Sequence, residues 1–255
     1  MRRPLTSPLR KPGRRDLLVL CYHAVSSSWP ASLSISPDQL GEQLESLIGR
    51  GYRGETFSAA LAQPPTGRTV VVTFDDAYLS TLTAGKPVLD RLGLPATVFV
   101  PTAFPATGQP MSWPGIDVWT GGEHAHELLP LSWMQLRALA DDGWEVGSHT
   151  VTHPRLTQID DHALRGELVQ SREACVEALG RQCTSLAYPY GDVDGRVVRA
   201  TEEAGYTAAG ALPARLYRPR SLAWPRIGVY PADRPSRFRI KVSPATRWAR
   251  ATLGI

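Results

Sequence analysis

The feature that most constrains the fold is a repeated alternation of short apolar segments with longer amphipathic segments. The apolar segments have the length of buried strands, and the amphipathic ones have helical periodicity and commonly end at glycine, as at Gly51, Gly93 and Gly180. Strands that alternate with helices in this way form a parallel sheet, either open or closed into a barrel. The predicted strands cover residues 17–22, 69–74, 96–100, 144–147, 185–188 and 206–209, and the predicted helices cover 39–50, 85–92, 132–141, 160–179 and 193–204.

The length indicates one domain. The chain has 255 residues and is 42% hydrophobic, and α/β barrels of this size commonly form a single unit. We expect this domain to span residues 16–233, between basic tails at 1–15 and 234–255. The stretch 104–130 interrupts the alternation and is rich in Gly, Pro, Trp and His, so it is interpreted as a functional loop over a site.

The charge distribution argues against nucleic-acid binding by the body. Each tail carries six basic residues and no acidic one, which leaves 16 basic against 24 acidic residues between them, although the whole chain is formally +4. A body of formal charge −8 offers no broad basic face. The tails could make peripheral contact with an anionic membrane, although solvated chain ends are the commoner alternative.

Cysteine content and hydropathy indicate the cellular compartment in which the protein is expected. Cys21, Cys175 and Cys183 lack a short metal-ligand spacing and do not indicate a disulfide scaffold. The apolar run 17–21 is shorter than a signal-peptide core, and no stretch approaches the roughly 20 apolar residues that span a membrane. The sequence therefore predicts a cytoplasmic protein without a transmembrane segment, and we expect a monomer.

Two adjacent carboxylates, Asp75 and Asp76, end the predicted strand 69–74. The carboxyl ends of parallel strands are where sites are assembled in α/β folds. Neighbouring side chains of an extended segment diverge, so one carboxylate could bind a cation while the other stays free for proton transfer. A helix cap or an Asx turn is the structural alternative.

Two histidines, His149 and His153, follow the predicted strand 144–147. At a spacing of i and i+4 they share one face if the segment turns helically, close enough to share a metal. Two His and one Asp form a ligand set that leaves positions open for water and substrate. A chance pairing of structural histidines is the alternative.

A third segment, 186–192, reads Leu-Ala-Tyr-Pro-Tyr-Gly-Asp. An ordinary turn explains its Pro and Gly, but a turn at a strand end also exposes backbone N–H groups that could stabilise an oxyanion.

These three motifs, TFDD, HTVTH and AYPYG, resemble in order and spacing those of the polysaccharide deacetylases, the NodB-homology or carbohydrate esterase family four proteins. The similarity extends from about Leu17 to Tyr230. It implies a distorted (β/α)7 barrel, with 16–233 as the catalytic domain. It also implies that Asp75 is the general base and that the Tyr190 backbone N–H helps to hold the oxyanion. Asp76, His149 and His153 would bind a divalent metal.

Two departures from the family pattern need an explanation. Many members have an Arg at the start of the third motif, where this chain has Ala187, and a catalytic His near the C-terminus, where this chain has none after His162. The segment Cys-Tyr-His-Ala-Val at 21–25 resembles the circularly rearranged branch that includes the poly-N-acetylglucosamine deacetylases. Since the first and last strands of a closed barrel are neighbours, His23 is the expected general acid; a strand-end cap is the alternative.

The missing motif Arg has a candidate replacement. Arg226, on the expected last strand, could pair with Asp75 and keep it ionised. A surface Arg in a basic region is the competing interpretation.

The expected function is metal-dependent removal of N-acetyl groups from an N-acetylated saccharide, with release of acetate. Zinc is the default ion for Asp-His-His ligands, and cobalt, nickel or iron(II) also fits. An O-acetyl esterase or a non-sugar amidase could use the same machinery. A catalytically silent carbohydrate-binding barrel is the third alternative.

Overall fold

The apolar segments of the sequence form a parallel sheet that is nearly closed into a barrel. A computed structural model describes residues 15–63, 66–213 and 219–253. Its strands are β1 (Asp16–Tyr22), β2 (Ala24–Val25), β3 (Ser34–Ile35), β4 (Arg53–Glu55), β5 (Arg68–Phe74), β6 (Thr97–Val100), β7 (Glu145–Ser148), β8 (Ser185–Ala187), β9 (Ala208–Ala211), β10 (Trp224–Pro225) and β11 (Ile227–Gly228). Its α-helices are α1 (Pro37–Ile48), α2 (Phe57–Ala62), α3 (Lys86–Leu92), α4 (Trp133–Asp141), α5 (Asp161–Leu179), α6 (Gly195–Glu203), α7 (Pro235–Lys241) and α8 (Pro244–Leu253).

The strand order explains the closure. Neighbours pair in the order β10-β9-β8-β7-β6-β5-β1-β11, and β4 adds to one side of β5. Every one of these pairings is parallel. The short strands β10 and β11 are separated only by Arg226, and β10 pairs with β9 while β11 pairs with β1. The last strand therefore bridges the two edges, and the expected single-domain (β/α)7 barrel is confirmed.

Helix boundaries follow the capping residues of the sequence. Helix α1 begins after Ser36, whose hydroxyl accepts the Gln39 N–H, and α4 begins with a capping box between Ser132 and Gln135. Helix α5 ends at Gly180, which has a left-handed φ of 67°. These local signals explain why the predicted helices match the observed ones to within a few residues.

Alternate residues of the strands face the inside of the barrel. There a small core, separate from the main one beneath the helices, is formed by Val19, Phe57, Ala60, Val71, Phe99, Ala187 and Ala208. Because side chains alternate along a strand, Cys21 follows Val19 on the inner face, and Thr73 and Asp75 follow Val71. The upper part of the barrel is thus lined by polar groups.

The C-terminal segment 234–255 differs from the basic tail that we expected. It contains α7 and α8, and Phe238 and Val242 are fully buried in the main core. Arg247 on α8 also binds the Asp16 carboxylate at the start of β1, at 2.6 Å. The packed body therefore extends beyond residue 233, because two apolar residues spaced by four share one helical face among the basic ones. Residues 1–14 of the other predicted tail lie outside the described residues.

Within the described ranges, none of the helices is long and apolar enough to cross a membrane.

Candidate active site

The predicted site residues meet at the carboxyl ends of the barrel strands. His23 follows β1, the two aspartates follow β5, His149 follows β7 and Tyr190 follows β8. Together with His153, their side chains line one cavity of about 400 Å³. Arg226 lies behind this cavity and is 1% exposed. The parallel topology explains the meeting, since all these strands end at the same rim.

Three of these residues form a group that could hold a metal ion. Asp76 Oδ1 lies 3.4 Å from His149 Nε2 and 3.4 Å from His153 Nε2. All three side chains are buried. Ligand atoms around a tetrahedral zinc ion, at about 2.0–2.1 Å from it, lie about 3.3–3.4 Å apart. The observed spacing therefore suits a zinc-sized cation.

The hydrogen bonds of this group also fit a metal. His149 Nδ1 lies 2.8 Å from the Ala187 carbonyl oxygen, which leaves Nε2 free to act as a ligand. Asp76 Oδ1 is buried and has no hydrogen bond within the described part of the chain. A buried carboxylate oxygen without a partner is costly, and a cation bound between it and the two imidazoles would satisfy it.

The two imidazoles differ in their electrostatics. Burial lowers the pKa of His153 to about 3, so this ring is neutral, as a metal ligand must be. Burial also opposes the protonation of His149, but the carboxylates of Asp75 and Asp76 raise its pKa above the usual value. The site thus attracts positive charge to the place where the three ligand atoms meet.

Strained backbone accompanies the site. Five non-glycine residues of the described chain have a left-handed φ between 54° and 69°, namely Asp76, Ala77, Thr150, His153 and Tyr190. Such conformations cost about 1–3 kcal/mol each and persist only where the surroundings hold them. All five lie on the loops that carry the predicted site residues.

Asp75 is held by Arg226 in a buried bidentate ion pair. Arg226 Nη1 donates to Asp75 Oδ1 at 2.6 Å, and Nη2 donates to Asp75 Oδ2 at 2.8 Å. A third bond runs from Nη1 to the Thr73 hydroxyl at 3.0 Å. Burial alone would raise the pKa of Asp75, but the Arg226 guanidinium and His149 hold it well below its usual range. Asp75 is therefore a carboxylate at neutral pH.

Small residues make room for this arginine. A Cβ at Gly210 would lie 2.6 Å from Arg226 Nε and 2.7 Å from its Cδ. Gly210 pairs with Ala187 on β8, the position at which the resemblance to the polysaccharide deacetylases implies an arginine. Ala187 and Gly210 thus leave space inside the barrel, and Arg226 fills it from the closing strand.

His23 and Cys21 form a second group beside Asp75. One ligand atom from each of these three residues lies within 4.8 Å of the others, so the group could in principle hold a cation. Burial, however, raises the pKa of Cys21 well above its usual value, and the thiol donates to Asp75 Oδ2 at 3.3 Å. The carboxylate is already neutralised by Arg226. This group is consequently a poorer metal site than Asp76 with the two histidines.

Tyr190 is fixed on three sides. Its φ of 58° interrupts the short 3-10 turn Pro189–Gly191. Its ring packs edge-on against His153 with centroids 4.7 Å apart, and its hydroxyl donates to the Pro114 carbonyl at 3.0 Å. The Arg155 guanidinium lies over the ring, 4.2 Å from its centroid.

Two residues, Glu167 and Trp113, support the site through contacts that the sequence does not indicate. Glu167 on α5 accepts the N–H groups of Val151 and Thr152 at 2.7 and 2.9 Å, and the Thr152 hydroxyl at 2.6 Å. It thereby fixes the loop between the two histidines. Trp113, from the predicted functional loop, stacks on His153 with centroids 4.3 Å apart. Neither contact has a local signal, because each joins segments that are distant in the sequence.

We expect Glu167→Ala to weaken zinc binding by about 10- to 100-fold, because the loop that carries both histidines loses its anchor. Competition with a zinc chelator of known affinity measures the change. Glu173→Ala, which removes an exposed carboxylate of the same helix, is the matched control and should leave affinity unchanged. Equal affinities of the Glu167 variant and the wild type would show that the loop holds its shape without this carboxylate.

Comparisons with known proteins bear on the family and the fold. A model of the polysaccharide deacetylase family matches residues 62–209. The chain is 27% identical over 201 residues to YxkH of Bacillus subtilis (strain 168), whose name places it among the polysaccharide deacetylases; the match covers 77% of this chain and 63% of YxkH. It is 23% identical over 153 residues to a peptidoglycan-N-acetylglucosamine deacetylase of Bacillus cereus, covering 58% of this chain and 46% of the relative. The chain thus spans less than two thirds of either relative.

Two solved structures share the fold over nearly their whole length. The deacetylase PplD of Streptococcus pyogenes, in complex with acetate, superposes with a TM-score of 0.73 at 21% identity, covering 89% of this chain and 98% of PplD. IcaB of Ammonifex degensii superposes with a TM-score of 0.69 at 25% identity, covering 91% and 99%.

Proposed function

Because the chain belongs to the polysaccharide deacetylase family, we propose that it is a metal-dependent hydrolase that removes N-acetyl groups from a saccharide and releases acetate. The observation that carries the proposal is that the two adjacent carboxylates have different surroundings. Asp76 faces two imidazoles at 3.4 Å, while Asp75 is held ionised by Arg226. The name of the Bacillus cereus relative, a peptidoglycan-N-acetylglucosamine deacetylase, supports an N-acetyl substrate.

Asp76, His149 and His153 would hold the metal ion. Their oxygen and nitrogen donors suit zinc, and cobalt, nickel or iron(II) is also compatible with them. When bound, such an ion supplies Lewis acidity, which polarises a carbonyl group and lowers the pKa of water.

Asp75 acts as the general base. It accepts a proton from the water that attacks the acetyl carbon, and it can do so because Arg226 keeps it ionised. The ion pair with Arg226, which lies inside the barrel, also fixes the orientation of the Asp75 carboxylate. The Cys21 thiol, which donates to Oδ2, restricts it further.

The Tyr190 backbone N–H is proposed to donate to the oxygen of the tetrahedral intermediate. Its left-handed conformation and the fixed ring hold the peptide group in place before substrate arrives. Donors that need no reorganisation contribute the most to such stabilisation.

His23 is the proposed general acid. It lines the cavity, and one of its ring nitrogens lies within 4.8 Å of the Asp75 carboxylate. Its Nδ1 is buried without a hydrogen bond to the described residues, whereas that of His149 is bound to a carbonyl. Cleavage of an amide needs a proton on the leaving nitrogen, because an amide anion is a very poor leaving group. In this proposal, His23 supplies that proton.

Acetate release from N-acetylglucosamine oligomers tests the proposal. The metal-loaded chain should release acetate, a chelator should abolish release, and Asp75→Asn should lower kcat by about 10²–10⁴-fold while retaining the metal. His23→Ala should behave in the same way. O-acetylated xylan oligomers serve as the parallel substrate. Release from these alone would overturn the N-acetyl assignment, and release from neither substrate would overturn the deacetylase proposal.

The Arg226–Asp75 pair predicts a shift in the pH profile. Arg226→Met leaves Asp75 buried without its counter-charge, so burial raises the pKa of the carboxyl group. Activity needs the ionised form, and the acidic limb of kcat/KM should therefore move to higher pH. The same change should lower the free energy of unfolding by about 3–5 kcal/mol at neutral pH. Arg226→Lys keeps the charge and should shift the limb less. If the acidic limb does not move in either variant, Arg226 does not control the ionisation of the catalytic base.

A further inference from the structure

Arg155 is a cation at the cavity that the proposed chemistry does not use. It follows His153 by two residues, it is exposed, and it lines the same cavity as the two aspartates. Within residues 15–63, 66–213 and 219–253, no carboxylate lies within 4.0 Å of its guanidinium, and its contact is the cation–π contact with Tyr190 at 4.2 Å.

Two cations near the cavity, Arg226 and Lys241, differ from it. Arg226 is neutralised by Asp75 at 2.6 Å, and Lys241 is neutralised by Asp233 at 2.6 Å. Arg155 is therefore a cation at the cavity whose charge is not neutralised by any carboxylate of the described chain. A guanidinium without a carboxylate partner keeps its full capacity to bind an anion.

Arg155 lies over the Tyr190 ring, with its guanidinium carbon 4.2 Å from the ring centroid. The Tyr190 ring beneath it is fixed by the bond of its hydroxyl to Pro114 and by its contact with His153. A guanidinium stacked by its face on an aromatic ring leaves the N–H groups at its edge free to donate. Those N–H groups lie in one plane and can donate two parallel hydrogen bonds to a carboxylate or a phosphate.

We propose that Arg155 binds an anionic group, a carboxylate or a phosphate, that the saccharide carries beside the acetylated sugar. This inference rests on the proposed function, because it names the class of saccharide that the same cavity takes. Arg155 is then a specificity-determining residue, and an anionic acetylated saccharide is the preferred ligand over its neutral counterpart.

A purely structural role of Arg155, in orienting Tyr190, makes a different prediction. The Tyr190 peptide group would be displaced equally for every substrate, so neutral and anionic saccharides would be affected alike. The ratio between matched charged and neutral ligands separates the two roles.

The experiment measures binding of two matched pairs to the metal-loaded full chain by titration calorimetry at low salt. The carboxylate pair is a tetrasaccharide of alternating N-acetylglucosamine and N-acetylmuramic acid and its methyl ester. The phosphate pair is N-acetylglucosamine 1-phosphate and methyl N-acetylglucosaminide. The wild type should bind the anionic member of at least one pair about five- to tenfold more tightly, as expected for a charge-assisted bond at a partly exposed site.

The variants assign that preference to Arg155. Arg155→Gln should abolish the preference, and Arg155→Lys, which keeps the charge without the planar fork, should retain part of it. Arg199→Gln is the matched control, because Arg199 is an exposed arginine on α6 outside the cavity, and it should leave the preference intact. The pair that shows the effect identifies the anion as a carboxylate or a phosphate.

Two results would overturn the inference. One is a wild type without preference in either pair, and the other is a preference that survives in Arg155→Gln. Acetate release from the same four compounds is measured in parallel. A wild type that releases none would count against the proposed deacetylation, while the binding ratio would still decide the role of Arg155.

Discussion

The buried ion pair between Asp75 and Arg226 is the interaction on which the site depends. It joins the end of β5 to the strand that closes the barrel, across 151 positions of the chain. Burying either charge alone would cost several kcal/mol, so each requires the other. Closure of the barrel and ionisation of the carboxylate are consequently linked, since Arg226 reaches Asp75 only when the last strand lies between β9 and β1.

The same pair explains how two adjacent carboxylates acquire different chemistry. Asp75 continues the inward alternation of β5 and meets a cation and a thiol inside the barrel. Asp76 has a φ of 68°, which turns the chain out of the strand and presents its carboxylate to the two imidazoles. One carboxylate is neutralised by Arg226, and the other keeps a buried oxygen that receives no hydrogen bond from the described residues. Backbone conformation, more than residue type, therefore separates the proposed base from the proposed metal ligand.

The strand and helix alternation could be predicted from the sequence because its determinants are local. Caps such as Ser132 and stops such as Gly180 mark the helices within a few residues. The convergence of Asp75, Asp76 and His149 follows from the polarity of parallel strands. What could not be predicted depends on contacts between distant segments. The contact of Arg226 with Gly210 depends on the closing strand, and the packing of Phe238 and Val242 is masked in the sequence by the basic residues around them.

We propose that Asp76, His149 and His153 hold the metal ion, which leaves Asp75 and His23 available for proton transfer. X-ray absorption spectroscopy of the zinc-loaded chain tests this most directly, because sulfur and light-atom ligands scatter differently. Only nitrogen and oxygen ligands, at about 2.0–2.2 Å from the zinc ion, are expected. A sulfur ligand at about 2.3 Å would place the ion beside Cys21 and contradict the proposal.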